Sequence, residues 1–497
     1  LTSTETHMSR PPYGMLSILM IGAFLTLLNN TLLNIALPSI MADLKVEAST
    51  VQWLTTGYML VNGILIPTTA YLIQKYSIRH LFLAAMGIFT IGTIMAGEAH
   101  VFELLLAGRM TQAAGSAIMM PLLMNVMLVS FPIEKRGTAM GVFGLIMMGA
   151  PAIGPTLSGW LVEHYDWRML FHVVTPVAFA ILLVGIFLLK DKKEKVDLHL
   201  DSFSLVLSSV GFGALLYGFS SAGKQGWASP QVYGMIILGL VAIVIFIRRQ
   251  LKQEKPMLNF TIYKYPMYAL SITISMVVTM ALFSGMVLMP IYVQTIRGIS
   301  PLDAGLMMLP GAIIMALMSP ITGRLFDKYG GRTLAIIGLA LTTVTSYYLS
   351  QLTLETTYTY LVVLYSIRML GMSMVMMPVS TNGLNQLPKR FYPHGTAMNN
   401  TMQQVSGAIG TALLVTVMSN RTEVHAAELM AAASGVMNEQ VMMKAMLEGI
   451  NDAFFVSVFI AGIALILAFF IKRAKPAEDM DGMEPLGEKM SPKLANN

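Results

Sequence analysis

Few side chains in this sequence could do chemistry, and those that could lie inside or beside long apolar runs. Arg109 and Gln112 are three residues apart in one such run, so a helix there sets them side by side on one face. A guanidinium at that depth normally faces protein or a water-filled cavity, which makes Arg109 a candidate for function and Arg368, in a later run, a second one. Structural bonding between helices competes with a functional role for Gln112, Ser116 and Asn125. No carboxylate occupies the middle of an apolar run. Asp303 and Asp452 fall near run ends, Glu134 and Asp327 fall in polar breaks, and Asp303 is the best remaining candidate for taking up a proton. Uncharged groups supply the other polar positions. Asn29, Asn30, Asn34, Gln52, Thr56, Asn62, Tyr292, Gln294, Asn399, Gln403 and Gln404 are expected to line a cavity with Arg109 and Gln112. A minority of the 43 methionines would supply adaptable apolar contacts there, and the rest would face lipid or neighbouring helices. Such a lining suits varied amphipathic small molecules and argues against a preference for permanent dications.

Several function classes are disfavoured on composition. There is no cysteine, and the eight histidines are scattered singly, so neither thiolate nor histidine metal chemistry has support and no cofactor is expected. No nucleophile, base and orienting group can be placed together, which argues against an enzyme. Nothing resembles a selectivity filter or a ring of charge, which argues against a channel. The net charge of +6 is spread over short breaks between apolar runs rather than gathered on one face, so topology accounts for it better than nucleic acid does.

The elements that must position these groups are membrane helices. The chain has 497 residues, 55% hydrophobic and 12% charged, against roughly a quarter charged in soluble domains. Its apolar blocks suit a hydrocarbon layer about 30 Å thick, and about fourteen of them can be counted. The first is expected to be retained rather than cleaved as a signal peptide. Lysines and arginines concentrate in alternate breaks, among them Lys75 with Arg79, Lys135 with Arg136, and Arg324 to Arg332. The other breaks mix few bases with acids such as Asp43, Glu98 and Asp166, so both termini are expected to be cytoplasmic.

The chain also repeats itself. Pro67 to Arg79 aligns without a gap to Pro320 to Arg332, with Pro, Thr, Leu, Lys, Tyr and Arg in register. Arg136 to Met140 matches His394 to Met398 in four of five positions at nearly the same offset. Parallel repeats of this kind build transporters whose halves rock about a central site. The expected organisation is an all-α membrane protein with a tail and six-helix half at 1–190, an extra two-helix hairpin at 191–262, a second six-helix half at 263–475 and a polar tail at 476–497.

Particular motifs carry a family likeness: Leu28 to Pro38, Trp53 with Tyr58 and Pro67, Arg109 with Gln112, Gly154-Pro155 with Gly159, Trp167-Arg168, and Pro290 to Gln294 with Ser300-Pro301 and Leu309-Pro310. In these the chain resembles the major facilitator superfamily, specifically its fourteen-helix drug:proton antiporter branch. The nearest likeness is to lincomycin-resistance efflux proteins of Gram-positive bacteria. The resemblance implies secondary active efflux of drug-like or amphipathic small molecules by alternating access, coupled to protons, in a bacterial cytoplasmic membrane and among its lipids. A dedicated exporter of an envelope metabolite, lipid or bile-acid-like amphiphile is the competing reading. The run Gly323, Asp327, Gly330, Gly331, Arg332 matches the family's conformational motif, in which Asp327 is expected to latch onto the start of the next helix. The first-half copy has Gln74 in place of that acid and should latch more weakly. Gly154, Pro155 and Gly159 match the antiporter motif, where the helix is expected to be closely packed and kinked. The family commonly has Asp where this chain has Asn29, which removes a titratable group from that position.

Overall fold

The computed structural model describes residues 13–46, 48–51, 53–189, 201–432 and 439–474. Every regular element among them is helical. In chain order these are α1 (Tyr13–Leu44), α2 (Ala48–Val51), α3 (Trp53–Leu65), α4 (Thr69–Lys75), α5 (Ile78–Gly97), α6 (Phe102–Ser130), α7 (Arg136–His164), α8 (Met169–Leu188), α9 (Ser202–Gln225) and α10 (Pro230–Lys252). They continue as α11 (Pro266–Ile291), α12 (Pro301–Tyr329), α13 (Gly331–Leu349), α14 (Tyr358–Ser373), α15 (Met376–Gln386), α16 (Tyr392–Ala432) and α17 (Glu439–Ala468). This is what a bilayer requires, because a helix satisfies its backbone polar groups internally.

Twelve stretches among the described residues are long and apolar enough to cross a membrane. α13 and α16 stand where two further crossings are expected and are not among the twelve. Hydroxyls and amides lower the hydropathy of both, as Thr342, Thr343, Thr345, Ser346, Asn399, Asn400, Gln403 and Gln404 illustrate. α16 has 41 residues, so at ~1.5 Å per residue it is about 60 Å long and projects well past a hydrocarbon layer of about 30 Å.

The helices pack around two cores. One gathers Leu19, Phe82, Phe89, Met119 and Phe171 from α1, α5, α6 and α8 and extends across to Tyr268, Met377, Leu384 and Met398 of the second part of the chain; the other gathers Val278, Tyr292, Leu339, Met372 and Phe454 from that second part. α9 and α10 pack on each other, and α9 also touches α3 of the first group and α16 of the second. Trp53 stacks on Tyr217 at 5.9 Å, and the Trp227 indole donates to Thr416 Oγ1 at 2.6 Å. The hairpin therefore lies across the seam between the two groups.

On the other side of that seam, α7 and α12 run together. A Cβ on Gly137 would come within 2.5 Å of the Gly323 carbonyl oxygen, and one on Gly141 within 2.5 Å of the Ser319 carbonyl oxygen, so only glycine lets these backbones approach. α7 is one continuous helix from Arg136 to His164, and the expected close packing is seen at Gly137, Gly141 and Gly144, which face α12 and Met377. Two spans are interrupted, at the 3₁₀ turn Ile66–Thr68 between α3 and α4 and at Met374 and Val375 between α14 and α15.

Candidate functional site

The Arg109 cluster draws four helices together. Its side chain is 1% exposed, held on α6 where Gly92 and Gly108 let α5 and α6 touch backbone to backbone. Nη1 donates to Gln112 Oε1 at 3.0 Å, as the three-residue spacing requires, and Nη2 donates to Asn30 Oδ1 of α1 at 3.2 Å. The guanidinium lies over the Tyr58 ring of α3, 4.4 Å from its centre, and Gln112 passes the network on to Thr93 of α5 through a 2.8 Å bond. All these partners are neutral.

Arg368 occupies the comparable place in the second group. It is fully buried, with Nη2 donating to the Ala281 carbonyl and to Ser284 Oγ, and Ser284 is bonded in turn to Ser457 of α17. Gly285 leaves the room its Nη1 occupies.

The other expected cavity residues divide. Asn29 and Asn62 are buried beside this cluster's helices, Thr56 is half-buried on α3, and Gln403 and Gln404 are half-buried on α16. Gln403 borders a narrow crevice with Ser275, Thr279 and Met376 at the α14–α15 break. Asn399 is buried, its Nδ2 3.9 Å from Met124 Sδ across the seam. Gln294 is exposed. Tyr292 belongs to the second core rather than to a cavity wall: it is fully buried and its hydroxyl donates to the Thr353 carbonyl at 2.6 Å. Gln52 and the side chains of Asn34 and Pro155 lie outside the described residues. Gly154 sits against Thr31 of α1, where a Cβ would fall 2.1 Å from Oγ1, whereas Gly159 meets nothing nearer than Leu302 at 3.5 Å. Asp303 is a helix-capping residue, exposed at the start of α12, with its carboxylate accepting from Ser300 Oγ at 2.8 Å and its N–H donating back to that oxygen.

At the end of the molecule where Lys135, Lys328 and Lys389 lie, here the basic end, Asp327 joins the two groups. Its Oδ1 accepts from the Gly137 N–H at 2.7 Å, and its Oδ2 accepts from the Thr138 N–H at 2.8 Å and hydroxyl at 2.6 Å. A carboxylate is stabilised there by the unpaired N–H groups and positive dipole end of α7. The expected partner, the next helix, is thus corrected to a helix of the other group. Gly330, at φ 82°, ends α12, and Gly331 packs beneath Phe326, while Arg332 is exposed. Arg473 Nη2 donates to the Asp327 carbonyl at 2.7 Å.

The first-half copy makes a related but uncharged contact. Gln74 Nε2 bonds the Ala70 carbonyl at 2.8 Å and lies 3.2 Å from His394 Nε2, at the start of α16. His394 Nδ1 accepts from the Asn259 N–H at 3.2 Å. Sequence reasoning missed the Arg136–Asn385 bond at 3.1 Å, which crosses the same seam; the recurrence of Gly-Thr-Ala-Met after Arg136 and His394 was the signal available. At the opposite end the Trp167-Arg168 pair grips Asp43, through the Trp167 indole at 3.1 Å and Arg168 Nη1 at 2.9 Å, and these bonds hold the Asp43 carboxyl below its usual range.

A bundle of apolar helices in two groups, joined at one end by a carboxylate on a helix start, has the architecture of a multi-pass integral membrane protein, and its relatives give its class as a membrane transporter rather than an enzyme. The family profile described as Major Facilitator Superfamily matches residues 19–411, and the chain belongs to that superfamily. It is 47% identical to the MFS-type transporter YcnB of Bacillus subtilis over 95% of this chain and 99% of that protein. It is 41% identical to the lincomycin resistance protein LmrB of Listeria monocytogenes over 93% of this chain and 98% of that protein. The human organic anion transporter MFSD10 shares the fold, with a TM-score of 0.65 at 14% identity over 92% of this chain and 100% of that one.

Proposed function

We propose that this protein is a secondary active efflux transporter that exports drug-like or amphipathic small molecules by alternating access, coupled to protons. It works in a bacterial cytoplasmic membrane with both termini in the cytoplasm. Fourteen helices, two groups of six and the α9–α10 hairpin, make up the working unit. The observation that carries the reading is the Asp327 contact with Gly137 and Thr138. It joins the two groups through polar bonds that water can replace, which suits a contact that opens and closes as the groups move. The name of the Listeria relative, a lincomycin resistance protein, supports the choice of drug-like cargo. Arg109, Gln112, Asn30 and Asn62 form the polar wall of the first group in this reading, with Gln403 and Gln404 opposite.

Purified protein in liposomes tests it. A compound panel assayed with and without an imposed proton gradient should reveal saturable counterflow of at least one unmodified compound, faster when the gradient is present. Non-saturable flux would indicate a channel, and gradient-independent transport would remove the proton from the reading.

A further inference from the structure

The two pairings that close the basic end differ in charge. In one, Asp327 accepts from Gly137 and Thr138, and Arg136 just before them donates Nη1 to Asn385 Oδ1 and Nε to the Phe131 carbonyl, each at 3.1 Å. The other pairing falls at the matching places of the internal repeat. There Gln74 stands in register with Asp327, and His394 stands where Arg136 does, ahead of the recurring Gly-Thr-Ala-Met. An amide replaces the acid, and a titratable ring replaces the permanent cation. Gln74, on α4, belongs to the first group and His394, on α16, to the second, so their 3.2 Å contact also spans the seam.

Arg136 is met by acceptors, whereas His394 is met by a donor that cannot move aside. The ring is buried in the first turn of α16, next to the exposed turn of Lys389 and Arg390. Its Nδ1 accepts from the Asn259 N–H at 3.2 Å. A backbone N–H cannot be turned round, so Nδ1 is the bare nitrogen and the neutral ring carries its proton on Nε2, toward a Gln74 amide that can present its oxygen. A second proton has only Nδ1 to go to, where two N–H groups would face each other. No acid stands by to hold it. On the surrounding elements Lys75 of α4 donates to Tyr71 Oη at 2.7 Å, Tyr268 of α11 donates to the Gly395 carbonyl at 3.0 Å with Tyr263 against its ring, Arg136 lies over Tyr392, and Arg390 lies over Phe391. These are cations and neutral hydroxyls, and a nearby positive charge opposes a further one. The closed pairing accommodates the imidazole and excludes the imidazolium.

We infer that His394 is a pH switch on the basic end: its protonation releases the contact between α4 and α16, so acidification on that side favours opening there. The inference rests on the alternating-access reading and adds a control to it. When the groups part, the ring is freed from Gln74 and can turn into water, where both nitrogens donate. The proton then binds the open form and not the closed one, and a ligand that binds one state shifts the population toward it. An imidazole in water takes its proton near pH 6.5, so the closed form is favoured above that pH and loses ground below it. Between about pH 7.5 and 5.5 the ratio of open to closed should rise about tenfold.

Spin labels on the full-length protein in lipid nanodiscs test this. His80→Cys and Lys389→Cys place one label at an exposed position on each side of the α4–α16 contact, and the first also removes the other described histidine of the basic end. Pulsed dipolar spectroscopy at about pH 7.5 and 5.5 covers the usual imidazole range and stays above the usual carboxylate range. In the labelled background the ratio of long to short distances should rise about tenfold on acidification. His394→Gln should make that ratio independent of pH. Gln74→Glu puts an acid beside the ring, where an imidazolium would pair with it, so acidification should then shorten the distances instead. A pH-independent ratio in the labelled background overturns the inference, as does a response that survives His394→Gln or keeps its sign in Gln74→Glu; the first and last of these hold even if His394→Gln fails to fold. Failure of the transporter reading is a separate result, the absence of counterflow for every compound in the panel, since the distances are read without cargo.

Discussion

Asp327→Asn is the substitution that most directly probes how the two helix groups are held at the basic end. The carboxylate accepts three bonds of 2.6–2.8 Å from Gly137 and Thr138, at the positive end of the α7 dipole. An amide keeps one acceptor oxygen and turns an NH₂ group toward a donor, so at least one charge-assisted bond and the charge–dipole attraction are lost. Charge-assisted bonds contribute about 1.5–3 kcal/mol net and the dipole term about 0.3–1 kcal/mol. Opening lets water replace what the native contact supplied, so the closed basic end should lose about 2–3 kcal/mol relative to the open one, a population shift of roughly 30- to 150-fold. The chain has no cysteine, so Glu134→Cys and Lys328→Cys introduce a unique pair of spin labels at exposed positions on the two sides of the contact. Pulsed dipolar spectroscopy should show a longer, broader distance distribution in Asp327→Asn, with slowed transport and nearly unchanged cargo affinity. An unchanged distribution, or a collapse of affinity at full turnover, would refute the latch.

Three further outcomes follow from the same geometry. Gly323→Ala places a Cβ 2.1 Å from the Gly137 carbonyl oxygen, so α7 and α12 must separate at a cost of about 1–3 kcal/mol, and the same label pair should report opening without any change of charge. Arg109→Ala removes the bonds to Gln112 and Asn30 and should abolish transport at normal membrane insertion, Arg109→Lys should be severely impaired because an ammonium cannot span both partners, and Gln112→Ala should be milder; quantified surface expression beside vesicle transport checks the order. Asp201, gripped by Arg249, Ser204 and Gln253, has its carboxyl held well below the usual range, so the stability it contributes is present above about pH 4 and is lost as pH falls through the lowered native value; wild type and Asp201→Asn should converge in thermal stability only under strongly acidic conditions.

The sequence by itself determined the solvent and the repeat. Apolar runs near helix-spanning length declare a membrane protein because each residue's transfer preference is local. The Arg109–Gln112 bond was legible because residues three apart on a helix are neighbours. The want of a carboxylate within the apolar runs could be read directly from residue types. The tertiary structure decided which groups meet. Asp327 reaches Gly137 across 190 positions and Arg109 reaches Asn30 across 79, contacts that depend on how glycine-lined helices settle together and that no local period encodes. Tyr292 illustrates the limit: its residue type suited a cavity wall, yet its place on the π turn at Tyr292–Ile296 points it into the second core toward Thr353. The α9–α10 hairpin, outside the repeat and silent in its motifs, acquired a place across the seam only when Trp53 met Tyr217 and Trp227 met Thr416. Hydropathy fixes that a helix enters the bilayer, whereas shape complementarity between faces fixes its neighbours, and that second quantity exists only once the helices are assembled.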